Sequence, residues 1–252
     1  MSAFMLILAI DTSTRTGSVA LLSDDRLLAE VSGYEETPYS TRLFRDLEIL
    51  KSRVHFEMRQ IDVFAVSSGP GSFTGLRIGL TAVKAWAEVH GKPIAAISAL
   101  EALCAQSTAR TPQAAFTLAP FFDARRGQLF GAIFRQSLGR QGLGRQGLEG
   151  NFAFELASEE SILSPEEFVD LVKGNLAPGR TKLVSPAPEL IPADLLQASL
   201  PGVGIEIVSP VLAPAIGRLG FERAKRGILL GAMELDANYV RRSDAESKWK
   251  DG

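Results

Sequence analysis

The chain has 252 residues, 46% of them hydrophobic and 22% charged, enough to bury a sizeable core as one large domain or two small ones. A net charge of −2 lacks the concentrated positive surface with which a protein grips a nucleic-acid backbone unaided. The single cysteine, Cys104, excludes an internal disulfide and suits a reducing cytoplasm; the two histidines, His55 and His90, stand isolated near predicted helix ends, leaving little material for a histidine or cysteine metal site.

The first ten residues are apolar, carry no basic leader and reach Asp11 too soon to span a bilayer, so residues 5–10 read as a buried strand. A polar turn over 11–18 leads to strands over 19–22 and 26–31. The turn offers one carboxylate and three hydroxyls, on Asp11, Thr12, Ser13 and Thr14. Such a set can hold magnesium through water and bind phosphate oxygens. Asx and Ser/Thr turns that merely cap a strand use the same residues. Residues 40–56 spell an amphipathic helix, with Leu43, Leu47, Leu50 and Val54 at i, i+4, i+7 and i+11, and with Thr37, Pro38 and Ser40 as start signals.

A strand over 61–66 then runs into Gly69, Pro70, Gly71 and Gly75, followed by a helix over 76–89 that Gly91 and Pro93 stop. Strand, glycine loop and helix together aim backbone N–H groups of Gly69, Gly71, Ser72, Thr74 and Gly75 at an anion, usually a phosphate. The competing reading is that small residues let this segment approach the first hairpin closely. No lysine follows Gly75, so this is not a Walker A loop, and no strand directly precedes Ser72, so it is not a nucleophile elbow. The helix itself is apolar round most of its circumference. Arg77, Thr81, Lys84 and Glu88 share one narrow stripe; Leu76, Ile78, Leu80, Val83 and Trp86 belong to the rest. A surface helix needs only about a 100° apolar arc, so burial on two sides is expected. The second cover is another helix, domain or chain, or else the helix lies wholly inside a large domain.

A strand over 94–97 and a helix from Ser98 to about Gln106, with Ser98 and Glu101 at capping-box spacing, complete a mixed sheet with helical crossovers. A second segment begins near Thr111-Pro112. Strands over 116–121 and 129–134 flank a turn, D-A-R-R-G-Q, and the run L-G-R-Q-G occurs twice within 137–150, a flexible insertion by composition. Ser164, Pro165 and two acids open a helix over 164–173. A short strand over 183–185, helices over 193–200 and 212–226, and an extended tail from Met233 finish the chain. The expected domains are residues 1–108 completed by a helix in 210–230, residues 109–209 carrying the insertion, and the tail 233–252.

Four runs carry a resemblance: I-D-T-S-T-R-T-G-S-V-A-L at 10–21, S-G-P-G-S-F-T-G-L-R-I-G at 68–79, I-S-A-L-E-A-L at 97–103 and D-A-R-R-G at 123–127. They are similar to the TsaB (YeaZ) family, roughly to Phe134 by motif and beyond it by order of elements. The resemblance implies an α/β fold of two RNase-H-like lobes within the actin, sugar-kinase and Hsp70-like superfamily. It implies a non-catalytic, cytoplasmic subunit that pairs with its catalytic paralogue TsaD to support threonylcarbamoyl transfer to adenosine in tRNA. The ATPase TsaE docks on that pair, a homodimer forms when the subunit is alone, and tRNA is met only through the complex, with no membrane involved. The helices matching 40–56 and 76–89 make the family's contact, which assigns Leu43, Leu47, Leu50, Leu76, Ile78, Leu80, Val83 and Trp86 to a partner interface. Many members carry a histidine where Tyr39 stands, and the superfamily's adenosine-binding glycine pair has only the poor counterpart 216–220. No catalytic or metal-binding residue is therefore assigned. ATP or ADP with magnesium, bound through Asp11, Thr12, Ser13 and the 69–75 loop, remains the alternative of a sugar-kinase-like enzyme. A glycoprotease-like peptidase rests on kinship alone.

Overall fold

The structure, a computed structural model, describes residues 4–33, 39–107, 116–138 and 152–240. The Thr37-Pro38 and Thr111-Pro112 signals, the L-G-R-Q-G duplication and the tail beyond residue 240 lie outside the described residues. The chain divides into two compact units, residues 1–102 with 210–252 and residues 103–209.

In the first unit, β1 (Leu6–Asp11), β2 (Ser18–Ser23) and β3 (Arg26–Ser32) form an antiparallel meander. After β3 come helix α1 (Tyr39–Val54) and strand β4 (Val63–Gly69), then α2 (Phe73–His90), β5 (Ile94–Ser98) and the short α3 (Ala99–Cys104). Strands β4 and β5 run parallel to β1, giving the order β3-β2-β1-β4-β5. α1 stops at Val54 because His55 turns to φ 48. α2 begins three residues earlier than its composition suggests. The Ser72 hydroxyl accepts the Gly75 N–H and caps the helix there, which takes Gly75 out of the loop and into the first turn.

The second unit is built on β6 (Phe116–Arg125), a ten-residue strand that serves several neighbours. Its second half pairs with β7 (Gln128–Gly131) and its first half with β8 (Phe134–Leu138), so the single strand expected over 129–134 is split in two. β9 (Phe152–Leu156) and β10 (Ser161–Leu163) extend the edges, and helix α4 (Pro165–Lys173) follows. β11 (Thr181–Ser185), helix α5 (Ala193–Ser199) and β12 (Ile205–Ile207) complete the unit. Its core gathers Ala119, Phe121, Leu129, Ile133, Phe168, Val172 and Leu183.

The chain then returns to the first unit as α6 (Ala213–Lys225). Alternate residues of a strand face opposite sides of the sheet, and both sides of β1 are used. Leu8 and Ile10 join the core formed with α1 and α2, whereas α6 packs on the other face, Gly217 against Leu22 and Gly220 against Ala65. Glycine at those two positions lets the helix backbone approach the sheet closely. The tail, expected to be extended from Met233, contributes Leu235 to the first core, and just before it Leu230 exchanges two backbone hydrogen bonds with Ile94.

Candidate functional site

Asp11 ends β1 and is almost wholly buried. Its Oδ1 accepts hydrogen bonds from the Ser13 N–H (2.9 Å) and the Ser13 hydroxyl (2.5 Å), while Oδ2 has no hydrogen-bond partner among the described residues. Burial pushes the carboxyl up to about 6 from 3.8, against the lowering effect of the two Ser13 bonds and the nearby Arg42 charge.

Arg42 comes from the first turns of α1 and is also buried, at 1% exposure. Its Nε donates to Asp46 Oδ2 at 3.1 Å, one helical turn on. Nη1 donates to the Arg15 carbonyl at 3.0 Å, and Nη2 faces the carbonyls of Thr16, Gly17 and Gly33. One planar fork thus collects four backbone oxygens from the β1–β2 turn and the end of β3, a geometry that lysine cannot reproduce. A cavity of about 10 Å³, room for a single water, lies among Asp11, Tyr39, Arg42 and Asp46.

The glycine segment meets this turn from the other side. The Ser72 N–H donates to the Ser13 carbonyl at 2.8 Å. A Cβ on Gly75 would strike the Thr12 carbonyl, one on Gly79 the Thr12 side chain, and one on Gly71 the Ser13 carbonyl. Gly69, at φ 123, lies against the carbonyl of Asn238. The structure therefore brings Asp11, Thr12, Ser13, Gly71, Ser72 and Gly75 together as a close-packed seam. Two of the amides that a phosphate would need, those of Ser72 and Gly75, are already occupied by protein oxygens, and Thr74 is exposed. In an open helix Gly→Ala stabilises by about 0.5–1 kcal/mol. Here the new methyl meets backbone, so Gly75→Ala is expected to destabilise the first unit by about 1–3 kcal/mol. Urea denaturation checks this. Gly174→Ala, where only ordinary van der Waals contacts wait, is the control and should change little.

The residues expected at a partner interface divide differently. Leu43, Leu47, Leu50, Leu76, Leu80 and Val83 are buried in their own unit's core, so they are not available to a partner. The strongest helical periodicity marked the face toward the sheet. Ile78 and Trp86 are only partly buried. With Ala82, Ala85 and Val89, Ile78 forms a stripe at i, i+4, i+7 and i+11 along the outer flank of α2, ending at Val89, which is 77% exposed. Phe44 of α1, 54% exposed, packs edge-on to Trp86 at 6.2 Å and borders this flank. Ala82, Ala85, Val89 and Phe44 were not among the residues expected at the interface. The signal was the apolar half-circumference left over once the core face is subtracted.

In the second unit a groove of about 700 Å³ is lined by the turns around Gly179 and Gly202 and by Leu176 and Val203. Its charged groups, Lys182 and Glu206, pair with each other at 3.6 Å. Among the described residues, no cluster of three or more His, Cys, Asp or Glu is placed to share a metal ion, and no helix is long and apolar enough to cross a membrane.

The model of the TsaD family, tRNA N6-adenosine threonylcarbamoyltransferase, matches residues 38–142. The tRNA threonylcarbamoyladenosine biosynthesis protein TsaB of Bacillus subtilis is 36% identical over 54% of this chain and 57% of its own length. The chain thus spans little more than half of that relative. The crystal structure of YeaZ from Pseudomonas aeruginosa superposes with a TM-score of 0.69 at 23% identity, covering 93% of this chain and 99% of that one. A ROK hexokinase from Thermus thermophilus shares the fold at a TM-score of 0.50 and 11% identity, with 87% and 100% covered. The α/β architecture is therefore that of the actin-like and sugar-kinase folds, and in sequence the chain is similar to proteins of the TsaB (YeaZ) family over about half of its length.

Proposed function

We propose that this protein is a non-catalytic pairing subunit in the synthesis of threonylcarbamoyladenosine in tRNA. It docks on a TsaD-type catalytic protein through the flank of Ile78, Ala82, Ala85 and Val89 on α2 and Phe44 on α1. The observation that carries this reading is the flank itself, an apolar stripe left beside a helix whose other side is already buried. Such a face is stabilised by a partner that removes it from water. The TsaB relatives support that pathway, and the TsaD-type match across 38–142 takes in both helices.

In this reading the TsaE ATPase joins the assembled pair, and ATP or ADP with magnesium belongs to that assembly. The tRNA is met only there, in the cytoplasm, and a second copy of the chain covers the flank when the catalytic partner is missing. The alternative of a sugar-kinase-like enzyme is less well supported. Asp11 is buried and bonded to Ser13, and the seam around Gly75 is filled by Thr12.

A reconstituted transfer reaction tests the proposal. Threonylcarbamoyl incorporation into tRNA by a TsaD-type protein with TsaE should depend on this chain and be lost with Val89→Asp. Full incorporation without the chain would overturn it.

A further inference from the structure

The last described segment of the chain, 230–240, is held at four points. Leu230 is bonded to the outer edge of β5, and Leu235 is buried in the first core. The Asn238 N–H then donates to the Ser68 carbonyl at 2.7 Å, and the Asn238 carbonyl fills the space that a side chain on Gly69 would need. One residue on, the Tyr239 ring packs at a tilt of 39° against Phe73, the first residue of α2, with centroids 4.9 Å apart. Arg77 lies over the Phe73 ring at 3.9 Å, and its Nε donates to the Tyr239 hydroxyl at 3.2 Å. Leu230, Leu235, Asn238 and Tyr239 are all tied, and the last two meet the end of β4 and the first five residues of α2.

We propose that this segment is a strap and Tyr239 a positioning residue: by clamping Phe73 and Arg77 it fixes the start of α2, and through it the orientation of the Ile78–Val89 flank. The proposal rests on the docking role given to that flank. The first turn of a helix has no intrahelical acceptors for its N–H groups and frays first. Ser72 and the Thr12 seam hold one side of that turn, and the strap holds the side that they leave open. Ile78 lies one residue beyond Arg77, so a start of α2 that frays or tilts misplaces the docking stripe without altering any residue in it. Gly69 is part of the device: at φ 123 and against the Asn238 carbonyl, it is the position where the end of β4 admits the strap.

Two measurements on the full chain test this, with Tyr239→Ala, Tyr239→Phe and Val89→Asp compared. Hydrogen exchange reads the amides of the first turns of α2, and sedimentation reads self-association and binding to the TsaD-type protein. Tyr239→Ala should speed exchange there and weaken association, each about tenfold, the scale of one aromatic contact and one hydrogen bond. Tyr239→Phe keeps the ring contact and should stay within about threefold of the unaltered chain. Val89→Asp should abolish association while leaving exchange unchanged. Unaltered exchange in Tyr239→Ala, or faster exchange with undiminished association, overturns the strap while the docking reading stands. Association that survives Val89→Asp overturns the docking reading instead, and with it the purpose assigned to the strap.

Discussion

Replacing Arg42 by methionine is expected to destabilise the first unit by about 3–5 kcal/mol, the scale for breaking a buried ion pair from one side. Methionine restores most of the apolar bulk, so the loss isolates the guanidinium. Without it the carbonyls of Arg15, Thr16, Gly17 and Gly33 lose their shared donor at a part-buried site, where Thr16 keeps a second one, the Gly33 N–H. Asp46 keeps only Arg45, half exposed and 3.0 Å away, which screens little of the buried carboxylate. Arg42→Lys keeps the charge but cannot fork across four oxygens, so it should fall between the two. Calorimetry and urea denaturation of the full chain are the checks. A loss below about 1 kcal/mol for Arg42→Met would show that the carbonyls find other donors.

Asp11→Asn is expected to raise stability at neutral pH, by about 1–3 kcal/mol, since a shift from 3.8 to about 6 corresponds to roughly 3 kcal/mol at most. The sign follows from which state holds the proton. Below about 3.8 the carboxyl is protonated folded or unfolded and contributes nothing. Between 3.8 and 6 the folded state binds more protons, so stability falls as pH rises, and above 6 the full cost of a buried carboxylate is present. Asparagine keeps an oxygen for the two Ser13 bonds and carries no charge, while its amide nitrogen replaces an oxygen that has no partner among the described residues. The charged neighbours across the cavity, Arg42 and Asp46, are unaltered. Glu101 is also pushed up by burial, even though Arg223 sits 2.6 Å away, and adds pH dependence of the same sign to both proteins. The informative quantity is therefore the difference between them, which should grow from pH 4 to pH 6.5 and then level. A variant less stable than the parent at pH 8 would contradict this.

The order of elements in the first unit is legible because its strands are short apolar runs separated by polar turns, and its helices keep a 3.6-residue period. The start of α2 was misplaced because Gly75 reads as a loop residue; only the fold shows that it is helical and small on account of Thr12. The strap left no trace in the pattern. Leu230, Leu235 and Tyr239 have no common period, and each is held by a different partner far away in sequence. The proposed docking flank was half legible. The breadth of the apolar surface on α2 implied two covers, but nothing in the spacing says which leucines meet the sheet. Leu76, Leu80 and Val83 do, leaving Ile78, Ala82, Ala85 and Val89 outside.

Everything functional in this account depends on that outer flank being covered by another protein. Sedimentation velocity of the chain mixed with a TsaD-type protein, run beside the Val89→Asp variant, tests it most directly. A one-to-one species for the parent chain that disappears in the variant, while both fold with the same denaturation midpoint, is the predicted result. Separate sedimentation of the two parent proteins, or a complex that Val89→Asp leaves intact, would contradict it.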